Sequence, residues 1–214
     1  MTATVKICGI NAIDAAIACN DYGADYVGFV FVEKSPRFIS YDFAKELSCH
    51  FNNKILKTGL FVNPRLSDIE DAFKSIDLDV IQLHGDETAE DVFLIQQKFS
   101  KPIIKAVSVA KSEDIETAKN FFNIADIILF DAKAPITEQN LGGNGVSFEW
   151  SLLKDKIPPE VNWGLAGGLS PENVRKAIRT TGAELVDVSS GVEVKRGVKD
   201  TSLIARFISE AKNA

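Results

Sequence analysis

The sequence predicts an α/β fold, a single (βα)8 TIM barrel formed by residues 1–214. Eight short β-rich apolar runs recur along the whole length, most of them starting about 22 to 30 residues apart. The runs are apolar on both faces, the pattern of parallel strands covered by helices. Segments of helical periodicity separate them, and eight such units in little more than 200 residues fit a compact barrel. A doubly wound open sheet also alternates strands and helices, but the count of eight units favours closure.

The expected strands are Thr4–Ile7, Tyr26–Phe31, Lys57–Val62, Val80–Leu83, Ile103–Val107, Ile127–Phe130, Trp163–Ala166 and Leu185–Val188. The first helix is read over Asn11–Tyr22, with Ala12, Ala15, Ala16 and Cys19 at steps of three and four, Asn11 as its cap and Gly23 as its stop. Ser67–Phe73, Thr88–Phe99, Ser112–Phe122, Pro171–Thr181 and Asp200–Lys212 follow the same rule, each opening with Ser, Thr, Asp or an early Pro. Cys49 and His50 are placed within a further helix. The longest connection runs from Ala132 to Phe148 and carries the glycine-rich stretch Leu141–Gly145. Loops of that length in compact domains often serve as lids or binding loops.

Composition narrows the class. With 45% hydrophobic and 25% charged residues the chain is neither disordered nor a disulfide scaffold. A net charge of −6 argues against nucleic acid or an anionic membrane as a partner. The N-terminus lacks the basic start and long apolar run of a signal peptide, and no apolar run approaches a membrane span. Three cysteines without metal-type spacing suggest free thiols and a cytoplasmic setting.

Chemistry in such barrels sits at the C-terminal strand ends. Strand one ends in Lys6-Ile7-Cys8-Gly9, and residues two apart share a face, so Lys6 and Cys8 both point inward with Cys8 at the mouth. A thiol there is either a base or nucleophile, its pKa lowered by the neighbouring ammonium, or a small buried hydrophobe. Cys19 and Cys49 fit the second description. Strand two leads into Ser35-Pro36-Arg37, whose guanidinium fork suits a carboxylate or phosphate, or simply faces solvent. Strand four ends in Gln82-Leu83-His84-Gly85, placing Gln82 and His84 on one face. His84 either holds a substrate group or caps its loop. His50 is given no role, and two histidines so differently placed argue against a zinc site. Strand six ends in Phe130-Asp131. Partial burial would raise the Asp131 pKa and make it a general acid, whereas pairing with Lys133 would be structural.

The last two strands carry the strongest signal. Strand seven runs into Ala166-Gly167-Gly168-Leu169, and strand eight into Asp187-Val188-Ser189-Ser190-Gly191-Val192-Glu193. Paired glycines expose backbone N–H groups, and Ser189–Gly191 can open a short helix. Loops after strands seven and eight with such a helix form phosphate sites in these barrels. Tight turns would explain the glycines of one loop but not readily those of both, so the two loops together are read as a phosphate site.

Taken in order, Lys6–Gly9, Ser35–Arg37, Gln82–Gly85, Phe130-Asp131, Gly142–Gly145, Ala166–Leu169 and Asp187–Glu193 resemble the phosphoribosylanthranilate isomerases of tryptophan biosynthesis. Gly197-Val198-Lys199-Asp200 then leads into the last helix. The resemblance spans nearly the whole chain. One departure is Ala132–Leu141, an insertion-like stretch that many members have shorter. The resemblance implies an Amadori rearrangement of N-(5′-phosphoribosyl)anthranilate to 1-(2-carboxyphenylamino)-1-deoxyribulose 5-phosphate, an aldose–ketose isomerisation. It implies Asp131 as the general acid at the ribose ring oxygen and Cys8 as the general base at C2′. It further implies Arg37 at the anthranilate carboxylate, His84 as a substrate-binding residue, and Gly168, Ser190 and Gly191 at the phosphate. Asp187 is read either at the ribose hydroxyls or as a structural support beneath the phosphate loop. The substrate's own anilino nitrogen is the electron sink, so no cofactor and no metal is expected, and the chain is a monomer or homodimer. Lys6 is expected to lower the Cys8 pKa.

Two other readings compete. The phosphosugar isomerase of histidine biosynthesis shares the barrel and phosphate logic, but resembles two half-barrels with an aspartate as base, where this chain has Cys8. A non-catalytic phosphate-binding barrel would need no thiol–carboxylate pair.

Overall fold

The computed structural model describes residues 2–132, 150–153 and 156–214. Eight parallel strands close in sequence order into a barrel: β1 (Thr4–Cys8), β2 (Tyr26–Val30), β3 (Leu56–Phe61), β4 (Val80–Leu83), β5 (Ile103–Val109), β6 (Ile127–Ala132), β7 (Trp163–Ala166) and β8 (Leu185–Val188). All eight lie where the apolar runs place them, with ends moved by at most two residues. The helices are α1 (Ile13–Tyr22), α2 (Tyr41–Ser48), α3 (Leu66–Ser75), α4 (Ala89–Phe99), α5 (Ser112–Ala118), α6 (Val174–Thr181) and α7 (Thr201–Lys212). The glycine-rich stretch Leu141–Gly145 and Lys133 lie outside the described residues.

Strand alternation builds two separate apolar layers. Odd-numbered Val5 and Ile7 of β1, with Val27 and Phe29 of β2 and Val186 and Val188 of β8, pack outward against the helices. Inside the barrel Val80, Ile104, Ala106, Leu129 and Ala166 form a distinct cluster, and Cys8, Val30 and Leu60 form a third near the mouth. Polar side chains enter the interior above the second cluster: Lys6, Thr58, Gln82 and Asp187 are all buried. The interior is thus apolar through one layer and ionic through the next, directly beneath the strand ends.

Helix ends follow local chemistry, with corrections to the expected bounds. Thr88 caps α4 by accepting from the Asp91 N–H at 3.2 Å, while the Asp91 carboxylate accepts from the Thr88 N–H at 2.8 Å, a reciprocal box. Asp200 caps α7 through the Leu203 N–H at 2.8 Å. Gly23 and Gly182 end α1 and α6 in left-handed backbone. Asn11 does not cap α1. Ala12 holds that position, and the Asn11 amide instead donates to the Gly197 carbonyl at 3.1 Å. Cys49 and His50 fall just past the end of α2 rather than within it. Ser112–Phe122 is α-helical only to Ala118 and then tightens into a 3-10 turn over Lys119–Phe121. Residues 171–173 do not begin α6, because the Asn173 side chain turns back to the Ser170 N–H and the Gly168 carbonyl and shapes the loop instead.

After β8 the chain makes a 3-10 turn at Ser190–Val192 and then a small antiparallel ribbon, β9 (Glu193–Lys195) and β10 (Val198–Lys199). The apolar periodicity gives no hint of this ribbon. It folds over the mouth, close enough that a Cβ on Gly197 would stand 2.4 Å from the Pro36 carbonyl oxygen.

Candidate active site

A cavity of about 310 Å³ opens at the C-terminal ends of the strands. Seven of the eight expected site residues line it: Cys8, Arg37, His84, Asp131, Gly168, Asp187 and Ser190. They come from six strand ends and their loops, so barrel closure brings together residues up to 182 positions apart. Apolar Val30, Val32, Leu60, Val62 and Leu169 line it as well, and sequence reasoning passed over these because they read as ordinary strand and loop residues. A mixed lining of this kind suits a ligand with an apolar ring and charged ends.

Gly191 is the exception, since it packs behind the cavity wall. A Cβ there would lie 1.9 Å from the Leu169 carbonyl oxygen, so the absence of a side chain lets the β7 and β8 loops touch. Gly168 does line the cavity, in left-handed backbone at φ +63° with open space where a side chain would be.

Lys6 and Cys8 both face inward on β1, and Lys6 stands in register with Asp187 on β8. That pairing brings the Lys6 ammonium within 3.1 Å of Asp187 Oδ1, with the lysine side chain fully buried. Asp187 is therefore committed at one oxygen to Lys6, the supporting role, while still reaching the cavity surface. Cys8 stands opposite Gly28 in register, and a Cβ on Gly28 would meet Cys8 Sγ at 2.9 Å and Lys6 Nζ at 3.1 Å. Gly28 thus makes room for both side chains. No sequence signal marks it, because the need for space arises only when β1 and β2 pair.

Burial pushes the Cys8 thiol up, Lys6 pulls it down, and burial prevails, so its pKa lies above the ordinary 9.0. The expectation that Lys6 depresses the thiol is right in the sign of its effect and wrong in the outcome. Burial works against the Lys6 charge too, but Asp187 and Cys8 together raise its pKa.

Across the mouth, Asp131 Oδ2 lies 3.0 Å from His84 Nε2, and the side chain is 26% exposed. His84 Nδ1 in turn lies 3.3 Å from Gln82 Nε2. His84 therefore touches the carboxylate directly, besides facing the cavity. Its loop is held from below by Glu87, which accepts from the Gly85 and Asn63 N–H groups and pairs with buried Lys105 at 2.7 Å.

The Arg37 fork is already gripped. Nε and Nη2 donate to Glu193 Oε1 and Oε2 at 2.6 and 2.9 Å. Lys199 donates to the same Oε1 at 2.9 Å and to the Ser189 carbonyl at 2.9 Å. Burial by itself would raise the Glu193 pKa, but the hydrogen bonds from Arg37 and Lys199 outweigh it and hold the carboxylate at about 2. Burial outweighs Glu193 at Lys199, whose pKa is lowered. Glu193 and Lys199 lie in motifs the sequence singles out, yet their pairing across the ribbon is invisible before folding. Cys8 and Cys19 are buried free thiols, and Cys49 is an exposed one. Among the described residues no cluster of three or more His, Cys, Asp or Glu side chains could hold a metal ion. No helix among them is long and apolar enough to cross a membrane.

Residues 5–210 match the family model described as N-(5′-phosphoribosyl)anthranilate isomerase. The chain is 43% identical to the N-(5′-phosphoribosyl)anthranilate isomerase of Paramagnetospirillum magneticum, over 99% of this chain and 98% of that protein. It is 45% identical to that of Paracoccus denitrificans, again over 99% and 98%. Among solved structures, phosphoribosyl anthranilate isomerase from Thermotoga maritima superposes with a TM-score of 0.89 at 39% identity, covering 99% of this chain and 100% of that one. A structure of such an isomerase in complex with reduced 1-(o-carboxyphenylamino)-1-deoxyribulose 5-phosphate gives a TM-score of 0.85 at 37% identity, over 99% and 100%. The chain belongs to the N-(5′-phosphoribosyl)anthranilate isomerase family.

Proposed function

We propose that this chain is a phosphoribosylanthranilate isomerase of tryptophan biosynthesis, with Asp131 as its general acid and Cys8 as its general base. The observation that carries the proposal is that one cavity is lined by a thiol, a carboxyl group, an arginine and the two glycine- and serine-bearing loops after β7 and β8. The substrate class is a small phosphoribosyl compound, the compartment the cytoplasm, and the assembly a monomer or homodimer.

The phosphate lies against Gly168 and Ser190, with Gly191 keeping their loops in contact. The anthranilate ring lies along the apolar wall and its carboxylate meets Arg37. Asp131 gives its proton to the ribose ring oxygen as the C1′–O bond breaks, and the anilino nitrogen lone pair forms the iminium at C1′. His84, hydrogen-bonded to Asp131, fixes the direction of the carboxyl group. Cys8 then takes the proton from C2′, and the C–H electrons neutralise the iminium to give the enolamine. Tautomerisation of the enolamine yields the ketose. Acid and base held in different surroundings divide the two proton transfers between them. Cys8 takes part in this step as the thiolate, which the Lys6 ammonium favours and burial opposes.

The test supplies anthranilate, phosphoribosyl pyrophosphate and purified anthranilate phosphoribosyltransferase until anthranilate fluorescence reaches a plateau, and then adds this protein. The expected result is rapid loss of the phosphoribosylanthranilate intermediate with appearance of the ketose product. No conversion by folded protein rejects the proposal.

A further inference from the structure

Glu193 is the most heavily committed side chain at the mouth. Its carboxylate is 3% exposed, and an ionised carboxylate has about four acceptor sites. Four donors fill them: Arg37 Nε and Lys199 Nζ on Oε1, Arg37 Nη2 and the Gly197 N–H on Oε2. Glu193 has no acceptor left for a ligand, and held at about 2 its charge persists through the physiological range.

Glu193 takes the side edge of the Arg37 guanidinium. Among the described residues nothing is hydrogen-bonded to the end edge, with Nη1 and the second Nη2 hydrogen, and it offers the same two-pronged geometry to another carboxylate. Charge follows the same division. Two cations, Arg37 and Lys199, surround one anion, leaving one positive charge for a ligand. Lys199 extends the network inward: its ammonium reaches the Ser189 carbonyl at 2.9 Å and Oγ at 3.2 Å, and Ser189 Oγ donates to the Cys8 carbonyl at 3.1 Å.

We propose that Glu193 is a positioning residue for substrate, holding Arg37 so that its end edge faces the ligand carboxylate and tying that edge through Lys199 to the loop that carries Ser189 and Ser190. The inference rests on the reading of Arg37 as the carboxylate partner. A long arginine side chain left ungripped would lose rotamer freedom on binding, and Glu193 removes that cost beforehand.

The test measures binding of reduced 1-(o-carboxyphenylamino)-1-deoxyribulose 5-phosphate and of the same compound lacking the ring carboxylate. Wild type, Arg37→Ala and Glu193→Gln are compared by calorimetry. Glu193→Gln is expected to weaken the carboxylated ligand about tenfold, the scale of a charge-assisted hydrogen bond, and the carboxylate-free ligand by less than about threefold. Arg37→Ala shows the same selectivity more strongly, and in turnover Glu193→Gln raises KM more than it lowers kcat. Equal weakening of both ligands by Glu193→Gln, or of neither, with Arg37→Ala still selective, overturns the inference and leaves the Arg37 reading intact. An unselective Arg37→Ala overturns both. Should Glu193→Gln fail to fold, Glu193→Asp withdraws the charge by one methylene. It is expected to show the same selective loss, and equal loss on both ligands again overturns the proposal.

Discussion

On the β1–β8 side of the barrel, Cys8 is 5% exposed and stands among buried charges, with Lys6 and Asp187 paired beside it and Lys199 bound to Glu193 above. On the β4–β6 side, Asp131 is at the mouth, a quarter exposed, and among the described residues its partner is His84. The two proposed proton-transfer groups thus face one cavity from opposite environments. A thiol within a layer of fixed charges has its protonation set by the protein, through burial and the ammonium opposing it. A carboxyl group at the rim meets solvent and, among the described residues, the His84 ring. The barrel treats the two groups differently: the buried Lys6–Asp187 pair stands directly beside the proposed base, whereas the buried Glu87–Lys105 pair of the other side supports the His84 loop and not Asp131 itself.

Removing either group is expected to have the largest effect. Cys8→Ala and Asp131→Asn are each expected to lower kcat roughly 10²–10⁴-fold, as loss of a general base or acid does, measured by single-turnover fluorescence. Lys6→Met comes next, because it strands Asp187 in a nearly buried site. Removing one partner of a buried pair costs about 3–5 kcal/mol, which chemical denaturation would register. Gly191→Ala forces a side chain into the Leu169 carbonyl and is expected to cost about 1–3 kcal/mol and to weaken inhibition by inorganic phosphate, read by denaturation and by competition.

The smallest effect concerns acid stability. The Glu193 pKa is about 2 in the folded chain and 4.5 ordinarily, so the unfolded chain binds more protons between those values. The stabilisation is complete above about pH 4.5 and is lost as pH falls toward 2. Glu193→Gln is expected to flatten the fall in melting temperature across that window, and an unchanged slope would show that this carboxylate is not the group being titrated.

The strand count, the inward pair Lys6 and Cys8, and the clustering of Arg37, His84, Asp131, Gly168, Asp187 and Ser190 were legible because alternation and strand ends are local properties. What remained hidden depends on partners distant in sequence. Arg37 and Glu193 are 156 residues apart, and nothing in either neighbourhood announces that the arginine fork is half occupied. Gly28 reads as a permissive strand residue until register sets it against Cys8. Asn11 has the right chemistry for a helix cap, yet the ribbon at Gly197 competes for its amide and wins. The sign of the Cys8 shift escaped for a related reason, since the nearby ammonium is visible in Lys6-Ile7-Cys8 while the depth of burial is not.

In the proposed mechanism Cys8 accepts the substrate proton from a buried position in which Lys6 only partly offsets desolvation. The most direct measurement is the pH dependence of kcat/KM for wild type and Lys6→Met, which reports the essential base of the free enzyme. The expected rate rises with pH on a limb above the ordinary thiol value of 9.0, displaced further to alkaline pH in Lys6→Met. A limb in the acid range, or one that Lys6→Met leaves in place, would contradict it.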